Sequence, residues 1–176
     1  MTRTTRTQRG RVLSAAALAI ATATLTGCDL EQLVDLAPSE RDEGTVEVVA
    51  VVDGDTIDVA TSTGEERVRI IGIDTPEIGR RGEASECYAI EAREFVDELV
   101  YGRDVELRAD DTQADVDAYG RLLRHVFIDG RSVAVETLAA GAGYEYTYDA
   151  AYDGLSEHQD AESAARAAGL GLWGTC

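Results

Sequence analysis

The chain contains no lysine, and all 16 of its basic residues are arginines, set against 34 acids for a net charge of −18. Histidine is scarce as well: there are two, His125 and His158, and no short spacing joins either to the three cysteines. Zinc centres draw on Cys and His clustered at short intervals, so zinc chemistry is excluded. A long apolar run is also missing. Residues 12–26 are apolar and small, but the stretch falls short of the roughly 20 residues that a helix needs to cross a bilayer. No internal repeat is visible, which excludes a solenoid.

What is present bounds the rest. At 176 residues there is room for one compact domain and a short extension. The apolar share of 44% is ordinary for a globular chain with a real core. The acidity admits two readings. A strongly acidic domain is a poor electrostatic partner for a polyanion, so the chain could be one that does not bind nucleic acid. The other reading is adaptation to very salty surroundings, where self-repulsion is screened within about 3 Å at 1 M salt. The abundance of Asp and Glu and the missing lysine favour this second, halophilic reading.

The amino terminus reads as an address. Arg3, Arg6, Arg9 and Arg11 precede the apolar run VLSAAALAIATATLT, which ends at Leu25-Thr26-Gly27-Cys28. Basic, apolar and small residues in that order mark residues 1–27 as a secretion signal. The tetrad LTGC resembles a lipobox, so Cys28 is expected to carry lipid and to become the first residue of the mature chain. No adjacent arginine pair supports a twin-arginine export route. Residues 28–44 are acidic and carry one proline, as a solvated tether would. Without the signal, 12 arginines face 34 acids, a net of −22. The expected location is outside the cytoplasm, anchored to the membrane by lipid, or secreted if the anchor is not used. Setting Cys28 aside leaves Cys87 and Cys176, either two free thiols or a disulfide. An oxidising compartment favours the bridge, which would pin the carboxyl terminus to the segment before the first helix.

Residues 45–176 form the expected domain. Two β-rich runs flank the turn Asp53-Gly54-Asp55, and a third covers 66–73. Residues 88–101 are helical, with Tyr88, Ala92, Phe95 and Leu99 on one face, Ser85 or Glu86 at the start and Gly102 after the end. Strands follow at 103–109 and 121–129. Then come a helix at 133–140, capped by Ser132, and an alanine-rich helix at 154–168 that Gly169 stops. Five strands with a helix between the third and fourth are compatible with an OB-fold barrel, although element order alone does not single it out.

Three clusters carry candidate chemistry: Asp53-Gly54-Asp55-Thr56; Arg69 with Asp74-Thr75-Pro76-Glu77; and Asp117-Ala118-Tyr119-Gly120-Arg121. Breaking a phosphodiester needs positive charge aimed at the non-bridging oxygens and a group that deprotonates water. The arginine fork suits the first task and a carboxylate the second. Paired aspartates with a further oxygen suit a hard cation such as Ca²⁺. In an ideal strand Arg69 and Asp74 point to opposite faces. For both to meet one phosphate the strand must bend between them, and Gly72 stands there. Taken alone, each cluster is better explained as a turn or a solvated strand end.

Together the clusters resemble the staphylococcal-nuclease-like (thermonuclease) family. The runs VVDGDTIDV, RVRIIGIDTPE, YAIEAREF, DAYGRLLRHVFIDGRSV and AESAARAAGLGLW follow its pattern in order and spacing, over nearly all of Thr45 to Trp173. The resemblance implies an α+β fold, a five-stranded OB-fold β-barrel with three helices, and Ca²⁺-dependent hydrolysis of DNA and/or RNA. By motif position Asp55, Asp74 and the Thr75 carbonyl are the expected Ca²⁺ ligands, with Asp53 near the metal. Arg69 and Arg121 are the expected phosphate clamps, and Glu77 orients or deprotonates water. Tyr119, Tyr146 and Tyr148 are expected to line the nucleotide pocket, with Tyr144 an alternative in that register. The lysines that often flank the family's groove are missing, and Arg80 and Arg81 are the nearest basic replacements. The expected partners are nucleic acid and, through Cys28, a membrane; no protein partner is expected, and the chain is expected to be a monomer. The rival function is a non-catalytic OB-fold binding module at the cell surface, and a purely structural lipoprotein is a third, which explains none of the motifs.

Overall fold

The structure, a computed structural model, describes residues 42–176. The expected signal, the lipidation site Cys28 and most of the tether lie outside the described residues. Eight strands and four helices follow in order. They are β1 (Asp42–Asp53), β2 (Thr56–Thr61), β3 (Gly64–Ile70), β4 (Ile73–Asp74), α1 (Ala89–Val100), β5 (Asp104–Arg108), β6 (Leu122–Ile128), β7 (Arg131–Ser132), α2 (Val133–Ala139), β8 (Tyr144–Glu145), α3 (Leu155–Ala168) and α4 (Leu172–Thr175). The short pieces β4, β7, β8 and α4 are too brief for sequence periodicity to announce.

Five strands make a closed barrel. They hydrogen-bond in the order β3-β2-β1-β5-β6, and β6 returns to pair with β3. That closing pair is parallel, matching Val68 with Leu122, Arg69 with Leu123 and Ile70 with Arg124, while the other barrel pairs are antiparallel. This is the OB-fold arrangement expected from the sequence.

Alternation puts Ile57 and Val59 of β2, Val68 and Ile70 of β3, Val105 and Leu107 of β5, and Val126 and Ile128 of β6 in the core. Each such side chain stabilises by roughly 1.5–3 kcal/mol through burial. In β1, Val48 and Val51 both face inward although an odd step separates them. The register slips between Val48 and Ala50, and this irregularity lets one strand serve two sides of the barrel.

Helix α1 packs on β1 and buries Ala89, Ala92, Val96 and Val100. Phe95 and Leu99 flank that stripe, so the buried face is turned from the expected Tyr88–Ala92–Phe95–Leu99 line. Neither Ser85 nor Glu86 caps the helix. The N-cap position is Tyr88, at φ +70° and without a side-chain cap. Ser132 does cap α2, accepting from the Val135 amide at 3.3 Å, and Gly169 ends α3 at φ +64°. Helix α4 seats the carboxyl terminus: Leu172 is buried and its amide donates to the Gly141 carbonyl. Cys87 and Cys176 are joined as a disulfide, with Cα atoms 6.0 Å apart across 89 residues of sequence. Among the described residues no helix is long and apolar enough to cross a membrane.

Candidate active site

The site forms where the β1–β2 turn, the end of β3 and the start of β6 meet. Asp53 and Thr56 pair across the tight turn, which leaves Asp55 at its tip, 3% exposed. The neighbouring Gly54 has a packing reason: a Cβ there would lie 2.8 Å from the Thr75 Cγ2. The turn therefore backs directly onto the Asp74-Thr75 segment. Asp55 Oδ2 accepts the Thr75 amide at 3.0 Å, across 20 residues of sequence, and Asp55 Oδ1 accepts the Thr56 hydroxyl at 2.8 Å.

The bend required between Arg69 and Asp74 is present. Strand β3 stops at Ile70, Gly72 adopts φ +83°, and the chain resumes as β4. Few residues other than glycine adopt that conformation readily. A Cβ at Gly72 would also fall 2.5 Å from His158 Nδ1 and from Tyr152 Cζ. The bend brings both ends of the segment onto one guanidinium. Arg69 Nη2 lies 3.1 Å from Asp55 Oδ2 and 3.0 Å from Asp74 Oδ1. Arg69 Nη1 donates to the Ile70 carbonyl at 2.9 Å and the Ile73 carbonyl at 2.6 Å.

Barrel closure delivers the second arginine. Because β3 and β6 run parallel, Arg121, just ahead of β6, arrives beside the β2–β3 end of the barrel. Its Nη1 reaches the Thr56 hydroxyl at 3.4 Å. Asp117 holds it there: Oδ1 accepts the amides of Tyr119 and Arg121 at 2.8 and 2.9 Å, and Oδ2 accepts Arg121 Nε at 2.7 Å. Burial opposes ionisation of Asp117, but these bonds outweigh it and hold the carboxyl below its ordinary range. Arg121, Thr56, Asp55, Arg69 and Asp74 are thus linked in one continuous chain of hydrogen bonds and, between Asp55 and Arg69, an ion pair.

Negative charge in the site is under-compensated. Asp53 is buried, and among the described residues its Oδ1 has no hydrogen-bond partner. Burial first, and then the Asp55 charge, push its carboxyl up to about 7. The nearest cation is Arg80, whose Nη2 stands 3.6 Å from Asp53 Oδ2. Asp74 is raised too, by burial, with Arg69 opposing. An orphaned buried carboxylate oxygen, two further aspartates and an all-oxygen donor set fit a hard divalent cation. Asp55 and Asp74 meet on Arg69 rather than with a third acid, and among the described residues no three His, Cys, Asp or Glu side chains form a metal cage.

Glu77 is exposed, and its carboxylate makes no hydrogen bond or ion pair among the described residues. Its charge contributes, as the smallest of several causes, to the raising of Asp53. The expected pocket tyrosines are all exposed. Tyr119, 86% exposed, borders a groove of about 340 Å³ with Arg121, opposite Asp58, Glu65, Glu66 and Arg67. The Tyr146 and Tyr148 rings lie 6.3 Å apart, and the Tyr146 amide ties them to the bend through the Gly72 carbonyl. Tyr144 packs edge-on against Trp173 at 5.2 Å. Asp117 stood in the third cluster without a role of its own, and Glu86 was read only as a possible helix start. Asp117 had a signal in hindsight, because an aspartate two residues before a Tyr-Gly turn bonds main-chain amides locally. Glu86 had none, because its partner is Glu77, across a loop.

A family model described as "Staphylococcal nuclease homologue" matches residues 67–175. The chain is 32% identical over 138 residues to the micrococcal nuclease of Shigella flexneri, covering 72% of each chain. It is 35% identical over 101 residues to the thermonuclease of Staphylococcus hyicus, covering 57% of this chain and 58% of that one. It is 33% identical over 123 residues to the SPbeta prophage-derived endonuclease YokF of Bacillus subtilis, covering 69% of this chain and 41% of that protein. The matched region thus spans about half of the latter two relatives' own length. The chain belongs to the staphylococcal nuclease homologue family.

Proposed function

We propose that the chain is a nuclease that hydrolyses phosphodiester bonds of DNA and/or RNA, with Ca²⁺ as its cation, outside the cell. The observation that carries this reading is the linked chain Arg121–Thr56–Asp55–Arg69–Asp74, held by hydrogen bonds and the Asp55–Arg69 ion pair. It holds two arginines and two aspartates at one end of the barrel, each fixed by a partner before substrate arrives. Preorganised donors aimed at developing charge are the largest single source of rate in such reactions.

Asp55, Asp74 and the Thr75 carbonyl would hold the cation, with Asp53 beside them. When bound, it supplies positive charge next to the phosphate oxygens. Arg121 and Arg69 bind the non-bridging oxygens and stabilise the charge that grows on them. Glu77, free of partners, orients the attacking water and takes its proton. Tyr119 offers a ring face beside Arg121 for a nucleotide. The relatives named endonuclease, thermonuclease and micrococcal nuclease support the reading. The basic–apolar–LTGC leader and the disulfide, which needs an oxidising compartment, support placement outside the cytoplasm with lipid on Cys28.

One observation favours a binding module instead: both terminal nitrogens of Arg69 are engaged by protein oxygens. Incubating the domain with single-stranded DNA at high salt, with Ca²⁺ or with a chelator, separates the two. Cleavage that needs Ca²⁺ is expected. A folded domain that retains DNA without cutting it would establish the binding module.

A further inference from the structure

Residues 75–88, between β4 and α1, carry Glu77 and fold back on themselves in rungs. The Glu77 amide donates to Glu86 Oε2 at 3.0 Å, and the Glu86 amide donates to the Glu77 carbonyl at 3.0 Å. Inside that pair, the Gly79 amide donates to Ser85 Oγ at 3.1 Å and the Glu83 amide to the Arg80 carbonyl at 3.1 Å. The two limbs run backbone against backbone, because a Cβ at Gly79 would collide with the main chain of Glu83 and Ala84. The base of the loop is anchored twice. Glu86 leads into α1 through the Ala89 amide on its carbonyl. Cys87, the next residue, is bonded to Cys176, whose helix α4 is held by buried Leu172 and its bond to Gly141.

The Glu77 side chain has no partner of its own, so only the main chain determines where its carboxylate stands. Glu86 grips that main chain on both the amide and the carbonyl, and the disulfide fixes Glu86. We propose that Glu86 is the positioning residue for Glu77 and that the Cys87–Cys176 bond locks it, so that the oxidised chain is the competent form. The proposal rests on the nuclease reading and on Glu77 as the group that activates water. It links activity to export: in a reducing cytoplasm the loop is untied, and outside it is closed.

The test compares wild type with Glu86→Ala, Glu86→Gln and the double variant Cys87→Ser/Cys176→Ser. It also includes wild type reduced by a dithiol, which gives two electrons and two protons to the bond and is itself closed to a cyclic disulfide. Each is assayed for Ca²⁺-dependent cleavage and for amide hydrogen exchange at Glu77. Misplacing a reacting group by about an ångström costs on the order of a hundredfold. Glu86→Ala should accordingly lower kcat by about 10- to 100-fold with KM within about twofold of wild type. Glu86→Gln loses the same charge but keeps an oxygen acceptor, and should recover most of the rate. The Glu77 amide should exchange faster in Glu86→Ala, in the double serine variant and in the reduced chain, but not in Glu86→Gln. Full rate and a protected Glu77 amide in Glu86→Ala would overturn the proposal. So would a Gln variant as impaired as the Ala variant, or a reduced chain at full rate. A wild type that cleaves nothing overturns the nuclease reading, and the positioning role with it, while amide exchange still decides whether Glu86 and the disulfide hold Glu77.

Discussion

The Tyr152 hydroxyl donates to the Gly72 carbonyl at 3.2 Å, across 80 residues of sequence. The same hydroxyl meets His158 Nδ1 at 3.0 Å and Glu145 Oε1 at 3.1 Å. A buried network from the far end of the chain thereby clamps the bend that turns Asp74 onto Arg69. Burial pushes the His158 imidazole down and the Tyr152 phenol up.

Gly72→Ala should be strongly destabilising. The left-handed backbone costs an L residue roughly 1–2 kcal/mol, and forcing a methyl into an occupied space costs roughly 1–3 kcal/mol more. A loss of about 2–5 kcal/mol in urea unfolding is expected, with activity falling alongside as the bend opens. A loss below about 1 kcal/mol would show that the clamp yields and does not govern the bend.

Glu77→Gln and Arg121→Ala should each reduce the cleavage rate at least about a hundredfold, the usual worth of a positioned base or a charge-stabilising donor. Asp117→Asn leaves the guanidinium in place but loosens its hold, and about a tenfold loss in kcat is expected. Single-turnover rates at saturating Ca²⁺ report these values, and near-wild-type rates in Glu77→Gln or Arg121→Ala would mean that the reaction occurs elsewhere.

Asp110 contributes to the acid limb of the stability profile. Burial alone would raise its carboxyl, but hydrogen bonds from His125, from the Thr112 hydroxyl and from the amides of Asp153 and Thr112 hold it at about 2, against an ordinary 3.8. A carboxyl depressed on folding stabilises the protein above its unfolded value, and that stability is lost as pH falls from about 4 toward 2. The difference corresponds to about 2 kcal/mol. Asp110→Asn should therefore lose about 2 kcal/mol at pH 7, with the gap to wild type closing near pH 2 in denaturant titrations. A gap that does not depend on pH would remove the carboxylate from the explanation.

Salt should be required for the fold itself. With a net charge of −18 over the whole chain, self-repulsion is screened only when the Debye length shrinks to a few ångströms. The melting temperature should fall steadily on dialysis from about 1 M to 0.01 M salt. An unchanged melt would separate the acidity from any saline habitat.

The sequence by itself determined the elements whose cause is local. Alternating Val and Ile wrote the barrel strands, Ser132 and Gly169 bounded their helices, and Asp53-Gly54-Asp55 could only be a tight turn. It also determined which residue types were available for chemistry, and Gly72 announced the bend between Arg69 and Asp74. Tertiary structure alone decided which of these residues meet. Arg121 reaches Thr56, 65 residues away, only because β6 closes the barrel by running parallel to β3. No local spacing encodes that pairing. Glu86 faces Glu77 because a loop folds back on itself, and the expected α1 stripe turned because the barrel wall, not helical period alone, selects the buried face. The tyrosines were assigned to one pocket by order along the chain; Tyr119 stands by Arg121 ahead of β6, and Tyr146 is tied to the bend at Gly72. Separate elements carry them, and only packing relates those elements in space.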